Sequence, residues 1–176
     1  MERRRGFVTG GGAVCLIVES AASCESRGVR PWGTVEASGA ATWAVEDVRA
    51  GGRAVERVLR AIGDPAGVLC SGNQTWLDAV ERIGVRRWQQ ADECARGAVV
   101  SGLYSSVGEC FAVMGLASVA AALLLRAMPA WHGPRWGGMR YARGGEEVDS
   151  MGVLCSDHAG SVCAVRLGLN GERVVV

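Results

Sequence analysis

Few side chains in this sequence have the types needed for covalent or acid–base chemistry. It holds only 2 histidines, and all 19 basic residues are arginine. Without lysine, neither a Schiff base nor the phosphate-binding lysine of a P-loop can form. No two cysteines have the C-x-x-C spacing of a zinc site, so we predict no metal and no cofactor. The 7 cysteines are Cys15, Cys24, Cys70, Cys94, Cys110, Cys155 and Cys163.

The candidate nucleophile and the candidate bases are far apart in the sequence. Cys70 ends an apolar run and is followed by Ser71, with no basic group beside it. A thiol becomes reactive where a neighbouring charge stabilises its thiolate, so the sequence favours a packed, inert Cys70. His132 lies in a loop rich in glycine and arginine, and His158 lies in a turn near the C-terminal end.

A glycine triplet near the N-terminus, Gly10 to Gly12, suggests a phosphate-binding loop at first sight. In the dinucleotide fingerprint, however, the glycines follow a strand and open a helix. Here they precede the apolar run Ala13–Val18, which we predict to be a buried strand. The triplet therefore favours close backbone packing at a strand entrance.

Length and composition bound the class of protein. The 176 residues, of which 49% are hydrophobic, fit one domain over residues 1–176 with a sizeable core. The 19 basic and 18 acidic residues almost balance, which argues against nucleic acid or anionic lipid as a partner. The N-terminal MERRRGFVTGGG has no apolar stretch typical of a signal peptide. Together with cysteines that behave as free thiols, this predicts a cytoplasmic protein.

The elements that would position these side chains alternate between strand and helix. Apolar runs predict strands, and helical spacing with a charged opposite face predicts helices. The result is an α/β protein with a layered mixed sheet. The predicted strands are 13–18, 31–40, 66–70, a short strand within 85–93, 148–155 and 161–167; the predicted helices are 20–27, one that begins after Gly51-Gly52, one that follows Thr75, and the run described next.

The longest apolar run extends from Gly108 to Met128 and has no charged residue between Glu109 and Arg126. A segment that is apolar all round must be buried on every side, in a domain or in a bilayer. A membrane span needs about 20 apolar residues, and this run is slightly short. We therefore predict a buried central helix, with a membrane helix as the alternative.

Several segments resemble, in order and spacing, the C-terminal half of the β-ketoacyl-acyl-carrier-protein synthases of the thiolase-like superfamily. The most specific is GFVTGGGA at residues 6–13, which is similar to that family's D-G-F-V-x-G-E-G-A. The others match the family's next strand and helix, its H-G-T-x-T loop, its K-x-x-x-G-H-x-x-x-A-x-G segment and its N-S-F-G-F-G-G loop: residues 15–31, 67–75, 105–115 and 153–167.

The resemblance implies a fold without the family's catalytic groups. The family's nucleophilic cysteine belongs to its N-terminal half, outside this sequence. Ser71 and Glu109 stand at the positions of its two histidines, and Tyr104 stands at its lysine. A carboxylate at Glu109 would repel the enolate that the histidine stabilises. The resemblance therefore implies that this chain does not carry the condensation reaction by itself.

A degenerate member of this family implies a partner. Chain length factors lack the catalytic residues, pair with an active ketosynthase and share its acyl tunnel. The resemblance thus implies a ketosynthase subunit or a second copy as partner, an acyl carrier protein reached through the complex, and tunnel or partner contacts at Tyr104, Glu109, Asp157 and His158. One alternative is the C-terminal half of a split synthase, active with a separate N-terminal chain. Another is a reading frame in which Met1 lies inside a longer protein.

Overall fold

A mixed five-stranded sheet forms the centre of the fold. The computed structural model describes residues 11–72, 75–103, 114–130 and 139–169. The strand order is β1-β7-β6-β2-β3, with β2 parallel to β3 and β6, and β7 antiparallel to β1 and β6. β4 and β5 form a separate antiparallel pair. The strands are β1 Thr34–Thr42, β2 Gly67–Cys70, β3 Val99–Gly102, β4 Ala127–Met128, β5 Glu146–Glu147, β6 Ser150–Ser156 and β7 Ser161–Gly168.

Helices cover both faces of the sheet. α2 and α3 lie on one face, where Val55 and Trp88 pack with Val68 and Val100 of the strands. α5 lies on the other face, where its buried side contacts residues of β2, β6 and β7. The predicted layered α/β class is confirmed by this arrangement. The helices are α1 Ala21–Ser26, α2 Val48–Ala61, α3 Leu77–Ala91, α4 Glu93–Arg96 and α5 Met114–Leu125.

α2 and α3 approach each other through glycines. The prediction that the helix begins after Gly51-Gly52 is wrong, since α2 begins at Val48 and contains both glycines. Asp47 caps this start by accepting a hydrogen bond of 2.8 Å from the Ala50 amide. A Cβ at Gly84 of α3 would overlap Val55 and lie 2.7 Å from the Gly52 carbonyl oxygen. The glycines therefore allow the close contact, and this outweighs their poor helix propensity.

The predicted N-terminal strand at residues 13–18 is wrong. Residues 11–20 form no regular element, and Ile17 and Val18 are 85% and 80% exposed. An apolar run becomes a strand only where a neighbouring strand can pair with it. Among the described residues β1 is the outer strand on this side, and it pairs with β7 alone.

The sequence between β2 and α5 was also partly misread. The predicted strand within residues 85–93 is wrong, because α3 continues to Ala91 with Val85 and Trp88 on its buried face. The predicted strands do not include β3, whose four residues Val99–Gly102 are all buried. A run of four residues is too short for periodicity to distinguish a strand from a loop.

The central helix is buried along one side only. Met114, Ser118 and Ala122 are its buried residues, spaced four apart. The expectation of burial on every side is therefore wrong, because the sheet covers one face of the helix and the described residues form no second layer over the other. No helix in the described part of the chain has the length and hydropathy to cross a membrane. The exposed leucines, with their exposed fractions, are Leu116 (46%), Leu124 (59%) and Leu125 (50%).

Candidate functional site

Two predicted site segments meet at one edge of the sheet. β2 and β6 are parallel, and Leu69 is paired with Val153, so their carboxyl ends lie side by side. Ser71 directly follows β2, and the turn of residues 157–160 directly follows β6. Such an edge is where α/β folds commonly gather their functional side chains.

Ser71 is held by a buried carboxylate. Its hydroxyl lies 2.6 Å from Oε1 of Glu81, and its backbone amide donates to Oε2 at 3.0 Å. Glu81 projects from α3 and has no exposed surface. Both groups of Ser71 that can donate a hydrogen bond are therefore directed to one side chain beneath the loop.

Burial raises the pKa of Glu81 to about 7, and the negative charge of Asp78 adds to this effect. The hydrogen bonds from Ser71 act in the opposite direction, because they favour the charged carboxylate. The nearby Ser156 hydroxyl also lowers this pKa. The pKa of the Glu81 carboxyl therefore lies near neutral pH, with Ser71 as its hydrogen-bond donor.

Sequence reasoning missed Glu81, although a signal was present. Leu77 and Val80 are apolar residues of the helix that the sequence predicts after Thr75, and Asp78 and Glu81 are buried on the same helix. Acidic side chains are rarely buried unless they have hydrogen-bond partners. Two acidic residues among the apolar positions of one helical turn therefore indicated a polar site below the β2 loop.

Cys70 is an inert thiol, as predicted. It is buried at the end of β2. Burial, followed by the charges of Glu81 and Asp78, raises its pKa well above the usual range. A thiol that resists ionisation is a poor nucleophile.

Asp157 and His158 lie on the exposed turn between β6 and β7. Asp157 Oδ1 accepts hydrogen bonds of 2.9 Å from the amides of Ala159 and Ser161. His158 Nδ1 accepts a hydrogen bond of 3.0 Å from the Trp76 indole, which joins this turn to the loop after β2. The structure therefore brings both residues to the Ser71 edge; their contact with a tunnel or a partner stays a prediction.

We expect Asp157→Ala to lower the free energy of unfolding by about 1 kcal/mol, because two turn amides lose their acceptor. Asp157→Asn keeps the accepting oxygen and is expected to lose less than half as much. Urea unfolding of both variants measures the difference. Equal losses would mean that the carboxylate charge, and not the turn geometry, is what matters.

Three candidate residues lie outside the described residues: Tyr104, Glu109 and His132. The roles that the resemblance implies for the first two stay predictions.

One group of metal-ligating side chains occurs among the described residues. Ligand atoms of Asp64, Asp92 and Cys94 lie within 4.8 Å of one another. Asp92 already accepts the Cys94 amide at 2.8 Å as the cap of α4. Exposed acidic groups of this kind are common without an ion, and we assign no metal to them.

Sequence comparison does not assign the chain to a known family. No protein-family profile matches it. No curated protein matches it either. The similarity to known proteins is therefore one of structure.

Solved ketosynthases share this fold. The ishigamide ketosynthase/chain length factor superposes with a TM-score of 0.76 at 19% identity, over 96% of this chain and 45% of its own. A type II ketosynthase in complex with its acyl carrier protein and bound to the hexaketide superposes with a TM-score of 0.67 at 15% sequence identity. The match covers 87% of this chain and 42% of that one. The oxazolomycin ketosynthase domain OzmH KS7 of Streptomyces albus JA3453 superposes with a TM-score of 0.66 at 18% sequence identity. The match covers 88% of this chain and 32% of that one.

These superpositions confirm the ketosynthase-like, thiolase-like fold. Identities below 20% carry no further assignment, because one fold supports many functions. The chain spans about a third to somewhat under half of the length of these three structures.

Proposed function

We propose that this chain is a non-catalytic, chain-length-factor-like subunit of a cytoplasmic type II polyketide or fatty-acid ketosynthase. It associates with an active ketosynthase and contributes to the acyl tunnel. The observation that carries the proposal is Ser71, which stands at the family's first histidine position and is hydrogen-bonded to buried Glu81. The likeness to the ishigamide ketosynthase/chain length factor supports it.

The electrostatics at this edge oppose condensation chemistry. A ketosynthase stabilises an enolate by directing hydrogen-bond donors at the developing negative charge. Here the Ser71 hydroxyl is engaged with Glu81, and the acidic side chains of Asp78 and Glu81 are buried behind it. Negative charge at this depth would destabilise an enolate further. A role in shaping a chamber, without proton transfer to substrate, is consistent with these residues.

His158 does not replace the missing imidazole in this proposal. Its Nδ1 accepts the Trp76 indole hydrogen, and the two rings meet edge to face with centroids 5.8 Å apart. The residue is exposed on its turn. We assign it, with Asp157, to the rim of the tunnel or to a partner contact.

The apolar side of α5 is the surface that we assign to the partner. Two of its exposed leucines, Leu116 and Leu124, lie on the side of the helix turned away from its buried residues, and Leu125 is exposed at the last position of the helix. Contiguous apolar surface of this kind is typical of an interface. The matching ketosynthases contain more than half of their length beyond the matched region, so a second ketosynthase-like half is the occupant that fits. An acyl carrier protein would be reached through the complex.

Co-purification tests this assignment. We expect the chain to co-purify with a co-expressed type II ketosynthase and its carrier protein, and Leu124→Glu to weaken that association at least about tenfold, since a charge would be buried in an apolar contact. Ala91→Glu adds the same charge at an exposed helix position on the opposite face and is the matched control. Equal loss of association in Leu124→Glu and Ala91→Glu would contradict the proposal. So would a wild-type chain that co-purifies with neither the ketosynthase nor the carrier protein.

The alternative is a C-terminal half that completes the active site of a separate N-terminal chain. The uncovered side of α5 supports it as well, because such a chain would pack there. Acyl loading and condensation by a reconstituted pair, in the absence of any complete ketosynthase, distinguish the two. Condensation by that pair would establish the alternative and overturn the non-catalytic role.

A further inference from the structure

Two cysteines face each other across β6 and β7. Cys155 and Cys163 are directly paired in the antiparallel register. Their neighbours Leu154 and Ala164 pack in the α2–α3 layer, so the cysteines point to the other side of the sheet, because side chains alternate along a strand. Opposed residues in such a ladder have Cα atoms about 4.5–5.5 Å apart, which lies within the range of disulfides.

The two thiols differ in exposure and in acidity. Cys163 is exposed, whereas Cys155 is partly buried. Interaction with the Cys155 thiol lowers the pKa of Cys163 to about 6, although partial burial and Asp157 oppose this. The pKa of Cys155 is raised by Cys163, by burial, and by the charges of Glu81 and Asp157. Cys163 is therefore both the more acidic and the more exposed thiol of the pair.

A cavity gives small molecules access to this sulfur. It has a volume of about 500 Å³ and is bounded by β1, β7 and the end of β6. Ala40 and Ala41 on the β1 side have small side chains, and Asp157 contributes the carboxylate of the lining. A small, positively charged molecule fits this combination of size and charge.

We propose that Cys163 is a reactive thiol and Cys155 its resolving thiol, which together form a site for thiol–disulfide exchange with small cationic disulfides. The Cys163 thiolate attacks one sulfur of the disulfide, forms a mixed disulfide and releases one small thiolate. Cys155, on losing its proton, attacks the Cys163 sulfur and displaces the second. The protein dithiol is oxidised to a disulfide, and the small disulfide is reduced to two thiols.

Cystamine is the probe for this exchange, applied to the intact chain. Asp157 lies between the two cysteines, so a protease that cleaves before aspartate separates them unless a disulfide joins the fragments. We expect wild type to give joined fragments of Cys155 and Cys163. Cys155→Ser is expected to retain a cysteamine adduct on Cys163, because no resolving thiol remains. Cys94→Ser, at an exposed cysteine on α4, is the matched control and should behave as wild type.

A measurement on the wild-type protein keeps the test independent of variant folding. Iodoacetamide alkylation, followed by peptide mass spectrometry, should reach its half-maximal rate at Cys163 near pH 6, against about 8.5 for a free cysteine. At pH 6 we expect Cys163 to react about tenfold faster than Cys94, after allowance for the weaker nucleophilicity of an acidic thiol. Equal rates at the two cysteines, or stable cystamine adducts on wild type without joined fragments, would overturn the proposal.

Discussion

Gly84→Ala is expected to lower the free energy of unfolding by about 2–3 kcal/mol. The added methyl group would overlap Val55 of α2 and lie 2.7 Å from the Gly52 carbonyl oxygen. Neither neighbour can rotate away, since one is a β-branched core residue and the other is backbone, so the two helices must separate. The higher helix propensity of alanine, about 1 kcal/mol, does not offset this cost. Urea unfolding and the Tm measure the loss.

Gly97→Ala is the matched control for this substitution. Gly97 ends α4 with φ −77, which alanine adopts freely, and its Cβ would lie 3.6 Å from the Cys94 carbonyl oxygen, an ordinary contact. We expect a change within about 0.5 kcal/mol. If Gly84→Ala were as well tolerated as Gly97→Ala, the close contact of α2 and α3 could not be what the glycines provide.

The sequence predicted those elements whose pattern is set by their own residues. β2 is a short apolar run, and β6 and β7 are apolar runs on either side of a polar turn, so all three were predicted within about two residues. The glycines of α2 were misread as a helix boundary because glycine is a helix breaker in isolation. Glycine is required at these two helical positions because Trp43 and Val80 pack against Gly51 and Ile83 packs against Gly52, and no local pattern reveals these contacts.

To predict which faces of α5 are buried, one must know which elements pack on each side of the helix. Its composition predicts that every face is covered, and the resemblance to a ketosynthase half supplies a reason why one side is not. The run at residues 13–18 presents the same problem in another form. Its apolar residues are exposed because no described strand pairs with them. In both cases the apolar composition predicts that the segment is buried, but it does not show whether residues of this chain bury it.

The candidate site could be predicted only in part from the sequence. Ser71 was identified through the resemblance. The pairing of Cys155 with Cys163 was not predicted, because the predicted strands 148–155 and 161–167 would place Cys155 opposite Ser161 and not opposite Cys163. Glu81 was not identified, because its partner Ser71 is ten residues away and the two meet only once α3 folds back beneath β2.

The unfolding free energy of wild type is expected to fall by about 3 kcal/mol, relative to Glu81→Gln, as the pH rises from about 4.5 to 7.5. The folded pKa of Glu81 is about 7 and its ordinary value is 4.5, so the native state binds the proton more tightly. The stabilisation is complete below pH 4.5 and is lost as the pH rises through 7, at about 1.4 kcal/mol per pH unit in the steepest part.

The difference in unfolding free energy between wild type and Glu81→Gln separates the contribution of Glu81 from those of other titrating groups. Cys163, with its lowered pKa, changes stability in the opposite direction above pH 6, and Glu56, whose pKa is lowered by hydrogen bonds from Arg87 and Arg60, acts at lower pH. Both contribute equally to wild type and variant. Glu93→Gln, which removes an exposed carboxylate on α4, is the matched control for the loss of one charge. A difference between wild type and Glu81→Gln that stays constant from pH 5 to 8 would mean that Glu81 is ionised throughout, and the Ser71 hydroxyl would then face a permanent negative charge.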